Sequence, residues 1–322
     1  MSSSESSSLA ITIIVPLCSR EQQTLLHLSN MGAEIARTED IELIIVDNSP
    51  GERAACLSVD LKNYTYVHCS WGTLNANRKT LNVLTGLDRA RGRAIILMDD
   101  DTRPTVDQLR DIAAQLPLGG MLRPMVKVLP RSIINDIDQV AVLLVNVLSK
   151  DRQFWAMMAI SSLCIAVAKS MPVDTIFDEL TMHRTLVKSG ATWVYASGVA
   201  VISTPQRSLP KFFEQRFRYT YENLAYPIRS VTLAAIMPIL LLIAETAGAL
   251  STIVIVFLIG CASVVAAGLG WAEFGRRHSI PFVVCFGAPI WVLYNATFIW
   301  PAIVLRFTVG LQFAGGQLKR PG

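Results

Sequence analysis

The chain has 322 residues, 52% of them hydrophobic and 17% charged, and carries a formal net charge of +4. That balance is too apolar for a wholly soluble protein and too weakly basic for a nucleic-acid binder, though it suits an anionic lipid surface. The cysteines (Cys18, Cys56, Cys69, Cys164, Cys261 and Cys285) form no C-x-x-C pair, which excludes the common zinc spacings and fits a reducing compartment.

Residues 1–10 read as a disordered polar tail, serine-rich with one acid and no base. Ile11–Leu17 is too short for the core of a signal peptide, so the globular part is expected on the cytoplasmic face. Aliphatic runs at Ile11–Val15, Leu43–Val46, Thr65–Val67 and Ala94–Leu97 read as strands, with helical stretches between them at about 20–37, 53–61 and 76–90. The alternation predicts an α/β domain with a mostly parallel sheet covered by helices. Ligands bind beyond the carboxyl ends of such strands, where the first, second and fourth runs end in Pro16, Asp47 and Asp99. Past residue 117 the rhythm loosens into apolar stretches at 121–128, 137–148 and 154–168. A helix follows at 179–189, stopped by Gly190, then strand-like Thr192–Tyr195 and Val199–Ile202.

Residues 209–229 interleave aromatic and basic side chains, as a helix lying at headgroup depth requires. From Val231 to Ala272 the single charge is Glu245, and from Pro281 to Leu305 there is none. At about 20 residues per crossing, the first run holds two spans and the second one. Glu245 lies where the hairpin between the first two spans should turn. The chain thus divides into the tail at 1–10, a catalytic domain at 11–208, an interfacial segment at 209–230, a transmembrane region of about three segments at 231–308 and a tail at 309–322. The expected location is the inner (plasma) membrane, multi-pass, with the catalytic domain and the Arg276-Arg277-His278 loop in the cytoplasm. A third full span would carry Arg306, Lys319 and Arg320 outside, against the positive-inside rule; the alternative is a segment partly re-entrant at Gly287-Ala288-Pro289.

The chemistry concentrates in four places. Asp99, Asp100 and Asp101 follow directly on the fourth strand. Crowded carboxylates at a strand end call for a cation, and a hard divalent metal takes oxygen ligands; a solvated acidic turn is the plainer reading. Asp47 closes the second strand. Asp178 and Glu179 open a helix, where acids also simply favour the macrodipole. Gln215, Arg218 and Tyr219 fall at i, i+3 and i+4, hence on one helical face. His68 and His183 have no partner at metal spacing and read as structural.

In this order the motifs resemble those of the inverting nucleotide-sugar glycosyltransferases of family two, in particular the membrane-embedded branch with cellulose, chitin and hyaluronan synthases and ceramide glucosyltransferase. That family runs Asp, Asp-x-Asp, Thr-Glu-Asp, then Gln-x-x-Arg-Trp. Here the pattern reads Asp47, Asp99-Asp100-Asp101, Phe177-Asp178-Glu179 and Gln215-Arg216-Phe217-Arg218-Tyr219. The Arg78-Lys79-Thr80-Leu81-Asn82 stretch is similar to the family's Lys-x-Leu-Asn, and the likeness covers about residues 11–230. It implies a GT-A (Rossmann-like) nucleotide-sugar domain followed by C-terminal transmembrane helices, and a Mg2+ or Mn2+ cofactor. By the same resemblance Asp101 is the direct metal ligand, Asp99 serves the metal and the donor, and Asp47 contacts the nucleoside. Lys79 reaches the uracil or the diphosphate, with a solvated helix lysine as the alternative. Asp100 is expected to point away, since successive strand side chains alternate faces. Glu179 takes the place of the general base with Asp178 as the fallback; the order of the acids is reversed from the family's, and its Thr is Phe177. Gln215, Arg218 and Tyr219 would meet the acceptor or diphosphate, Tyr219 standing where the family has Trp.

The expected activity is inverting transfer of a sugar from a nucleotide-sugar donor, UDP-linked by resemblance, to a lipid or lipid-linked acceptor in the bilayer. Three spans cannot enclose a polysaccharide channel within one protomer, so single additions are favoured over chain export. The alternatives are a processive polysaccharide synthase subunit relying on a homo-oligomer or partner, and a catalytically silent membrane scaffold of such a complex. A nucleotidyltransferase would need a Gly-rich phosphate loop after the first strand, and Pro16-Leu17-Cys18-Ser19-Arg20-Glu21 is a poor one. No nucleic-acid partner is expected.

Overall fold

The β-branched runs form strands because each has an apolar side chain to bury on both faces. β1 (Ile11–Leu17) and β2 (Ile41–Asp47) are buried end to end, β3 (Tyr64–His68) is half-buried, and β4 (Ala94–Met98) is again fully buried. β5 (Thr102–Arg103), β6 (Met121–Val128), β7 (Met157–Ser161) and β8 (Trp193–Ser203) complete one sheet of order β3-β2-β1-β4-β7-β6-β8-β5. These features come from a computed structural model that describes residues 9–18, 21–49, 51–69, 76–148, 156–205, 208–313, 316–318 and 320. Most of the expected polar tail, with Ser19, Arg20 and Lys319, lies outside the described residues.

β1 pairs in parallel with β2 and β4, and β2 with β3, whereas β7 runs antiparallel to both β4 and β6. The parallel reading therefore holds for the first hundred residues and gives way to a mixed sheet beyond them. Register decides where the acids arrive. Leu17 stands opposite Asp47 and Ile14 opposite Leu97, so the carboxyl ends of β1, β2 and β4 share one edge. Helices α1 (Gln22–Ile35), α2 (Arg78–Leu87) and α3 (Val106–Gln115) fill the connections. α2 lies close on β1: a Cβ at Gly86 would collide with Ile14 Cγ2. The expected helix at 53–61 is a single turn over Ala55–Leu57, because Leu57 alone in that turn is buried and no apolar stripe recurs.

The stretch at 137–148 is α4 (Ile133–Leu148), and 154–168 divides into β7 and the one-turn α5 (Ile165–Ala168). α6 (Asp178–Lys188) starts at the expected acid pair, and the two short strands expected after it are one continuous β8. The chain packs as two units, one within Met1–Met125, Trp155–Val201 and Gln312–Gln317, the other within Val126–Phe154, Ile202–Leu311 and Leu318–Gly322. Residues 126–148, placed within 11–208 in the sequence reading, pack in the second unit.

In the second unit α7 (Leu209–Glu222) meets α4 through a buried ion pair, Arg216 to Asp138 at 2.8 Å. α8 (Pro227–Gly270) and α9 (Ala288–Phe307) follow. Where three membrane segments were expected, two rods among the described residues are long and apolar enough to cross a bilayer, Pro227–His278 and Phe282–Phe307. The first is divided at Gly248, whose φ of 81° and ψ of 174° leave the helix, three residues past Glu245. Met237 Sδ lies 3.9 Å from Thr297 Oγ1, and a Cβ at Gly260 would lie 3.6 Å from Pro289 Cγ. A straight helix would hold Met237 and Gly260 ~34 Å apart, while their partners on α9 are separated by only ~12 Å. The two arms of α8 therefore fold toward each other at Gly248.

Candidate active site

The three acids after β4 are held by a β-turn. Thr102 N–H donates to Asp99 O at 3.1 Å, while Asp99 N–H and Thr102 Oγ1 both donate to Ala156 O, at 3.0 and 3.1 Å. Because the acids lie in this turn and not along the strand, face alternation does not govern them. Asp100, expected to point away, belongs to the cluster: burial, then the charges of Asp101 and Asp99, push its carboxyl up to about 7.

Lys79 is the centre of the site. It stands in the first turn of α2, 19% exposed, with Nζ at 2.7 Å from Asp99 Oδ1, 3.3 Å from Asp178 Oδ1 and hydrogen-bonded to Glu179 Oε1. Burial works to strip its proton, but the charges of Asp178, Asp99 and Glu179 outweigh burial and hold its pKa well above the usual lysine value. The alternative of a solvated helix lysine is thereby set aside. Glu179 has the opposite balance. Burial, then the charge of Asp178, raises its carboxyl to about 7, and Lys79 restrains the rise. A carboxyl at that value takes and gives a proton near neutral pH, as a general base must.

Asn82, one turn along α2, is fully buried and donates to Val46 O at 3.0 Å and Leu17 O at 3.3 Å, fastening α2 across the ends of β1 and β2. Asp47 is fully buried in its place on β2, accepting from Ser49 N–H at 2.8 Å and from Tyr66 Oη at 2.5 Å. The first unit thus brings together Lys79, Asp99, Asp178 and Glu179, with Asp100 and Asp101 in the adjoining turn. Gln215, Arg218 and Tyr219 lie on α7 in the second unit. One face of the Tyr219 ring carries the Arg216 guanidinium, 4.4 Å from the ring centroid. His183 packs edge-on against Trp193 at 5.8 Å, the structural role expected of it.

Comparison with known proteins bears on the first unit directly. Residues 12–118 match the model of glycosyl transferase family 2. The chain is a glycosyltransferase. Among solved structures it is similar to a mannosyltransferase from Pyrobaculum calidifontis in complex with GDP-Man and Mn2+. The TM-score is 0.58 and the identity 15%, over 92% of this chain and 87% of that one. At that identity the likeness concerns the fold, and it agrees with the GT-A-like α/β domain. A mycobacterial protein is also similar over 64% of this chain and 71% of its own, at 13% identity and a TM-score of 0.41. No curated protein matches the chain by sequence.

Two buried polar side chains with long-range contacts were not singled out by the sequence reading. They are Asn77 and Arg216, and each reaches a residue remote in sequence besides its neighbours in the chain. An Asn preceding a helix is a recognisable N-cap, so Asn77 had a local signal; its reach to residues 175 and 176 had none.

Proposed function

We propose that this glycosyltransferase moves a single sugar, with inversion, from a nucleotide-sugar donor to a lipid or lipid-linked acceptor at a membrane face. The observation that carries the reading is Glu179, a partly buried carboxyl held against Lys79 and raised to about 7, on a site whose other groups suit a diphosphate. Glu179 accepts the proton of the acceptor hydroxyl. The hydroxyl oxygen bonds to the anomeric carbon, and the bond to the diphosphate breaks with its electron pair leaving on the nucleoside diphosphate. Asp178 is the fallback base. Lys79 is assigned to the diphosphate, and Asp47 to the nucleoside while also bracing Ser49 and Tyr66. The donor expected from sequence is UDP-linked; GDP-mannose, which the Pyrobaculum calidifontis protein holds, stands beside it.

Among the described residues no group of three His, Cys, Asp or Glu side chains forms a ready cation cage. Asp99 and Asp101, two oxygen donors in one turn, suit a hard divalent ion whose remaining ligands come from the donor's phosphates and water. Mg2+ or Mn2+ bound there would stabilise charge developing on the leaving diphosphate.

The membrane assignment rests on the second unit. The arms of α8 are ~31 and ~33 Å long at 1.5 Å per residue, close to the bilayer's hydrocarbon thickness of about 30 Å. Their apolar side chains are largely exposed, Leu241 at 63%, Leu250 at 77% and Phe257 at 68% among them, a surface suited to lipid and not to water. Alongside, α7 and α9 are joined by Phe213 on Tyr294, Phe217 on Phe298, and Asn295 Oδ1 accepting from Thr220 and Asn223. That pairing holds α9 against the segment expected at headgroup depth. A re-entrant course at Gly287-Ala288-Pro289 keeps Arg306 and Arg320 on the cytoplasmic side, in line with the positive-inside rule. Gln215, Arg218 and Tyr219 are assigned to a headgroup-level acceptor.

Incubating membranes with radiolabelled donor and partitioning the product tests the acceptor class. A discrete one-sugar species in the organic phase is expected. Label in an ethanol-precipitable polymer made by this chain alone would mean the processive synthase instead.

A further inference from the structure

We propose that Asn77 is a positioning residue that sets Lys79 against Glu179, a role that rests on the reading of Glu179 as the base. Lys79 and Glu179 stand in the first turns of two separate helices, a hundred residues apart in the chain. Two helix N-termini bring like partial charges together, so their approach needs a fastening. Asn77 supplies it. Its Oδ1 caps α2 by accepting from Lys79 N–H at 3.0 Å, and its Nδ2 donates to Thr175 O and Ile176 O, each at 3.0 Å, just ahead of α6. Its backbone N–H donates to Val173 O at 2.7 Å. The residue is fully buried, so no water substitutes for a lost bond.

One amide therefore does two things. It starts the helix that carries Lys79, and it grips the two carbonyls from which the chain enters the helix of Asp178 and Glu179. The second function is separable from the first. Ser is as good an N-cap as Asn, but its hydroxyl is too short to bridge to residues 175 and 176. Asn77→Ser should keep α2 and release α6.

The test is steady-state kinetics of full-length Asn77→Ser in membranes or detergent, with folding checked by protease resistance. A catalytic group displaced by about 1 Å loses about 100-fold in rate, so kcat should fall by that order while the KM for the donor changes less than ~3-fold. In a Glu179→Gln background the same substitution should change the residual kcat by less than ~3-fold, since the group it aligns is gone. A folded Asn77→Ser with wild-type kcat overturns the proposal, and so does a full 100-fold loss on top of Glu179→Gln. If Asn77→Ser fails to fold, Asn77→Asp retains the cap acceptor and the shape; failure of both to fold makes Asn77 a stability residue and rejects the role. Loss of Glu179→Gln activity together with normal Asn77→Ser rejects the clasp alone. Unimpaired Glu179→Gln rejects the base on which it depends.

Discussion

Replacing Lys79 with Met removes one cation from among Asp99, Asp178 and Glu179 and leaves the rest of α2 untouched. Two consequences can be worked out. An opposite charge within about 4–6 Å lowers a carboxyl's pKa by roughly 1–3, so without Lys79 the Glu179 carboxyl should rise from about 7 by that amount. For a rise of about two, the ionised fraction at about pH 7.5 falls roughly 25-fold, and the rate falls with it if Glu179 is the base. The second consequence concerns stability. Breaking a buried ion cluster costs roughly 3–5 kcal/mol when the charge left behind is wholly buried. Lys79 and Asp99 are 19% and 31% exposed, and Glu179 can take up a proton instead, so about 2 kcal/mol is expected. Glu179's folded pKa is raised above its unfolded value, so the stability it lends is present at low pH and lost as pH rises through the folded value. The deficit of Lys79→Met should therefore be small at about pH 6 and grow toward about pH 8. The assays are the pH profile of nucleoside diphosphate release and thermal unfolding at both pH values. An acid limb that stays near 7 in Lys79→Met, or an equal deficit at both pH values, would refute the electrostatic reasoning.

Other substitutions and one topology measurement probe separate parts of the account. Asp101→Ala should lower transfer by about 100- to 1,000-fold, as loss of a charge-stabilising contact does, with folding intact; wild-type turnover in EDTA would remove the metal from the account. Asp138→Asn leaves the Arg216 guanidinium buried at 4% exposure without its carboxylate, and should destabilise the second unit by roughly 3–5 kcal/mol, read as faster proteolysis at α7. A tag after residue 322 should be cut by protease only from the side that also exposes the first unit; cleavage from the opposite side would mean that α9 spans the bilayer.

The catalytic edge of the sheet was legible in sequence because its signals are local. β1, β2 and β4 are unbroken aliphatic runs, Asp47 and Asp99 stand directly at their ends, and Asp178 begins α6 where an acid at a helix start is expected. What sequence could not show is convergence. Lys79 read equally well as a solvated helix lysine, since nothing within a few residues of it announces three carboxylates from two other elements. Strand alternation could not place Asp100, because the acids lie in a β-turn. α4 looked like part of the catalytic domain by position alone, while its partners Arg216 and Gly270 lie far along the chain. The break at Gly248 was legible only as a nearby charge, Glu245, because glycine in an apolar helix does not by itself declare a positive φ.

The most direct test of the central claim is turnover and donor binding by Glu179→Gln, measured on a panel of nucleotide sugars with a lipid extract as acceptor. Gln keeps the size and hydrogen bonding of Glu but cannot accept the proton, so the account predicts that the donor that serves the wild type still binds with unchanged affinity while nucleoside diphosphate release collapses. Wild-type turnover by Glu179→Gln, with Asp178→Asn inactive, would contradict it and transfer the base to Asp178.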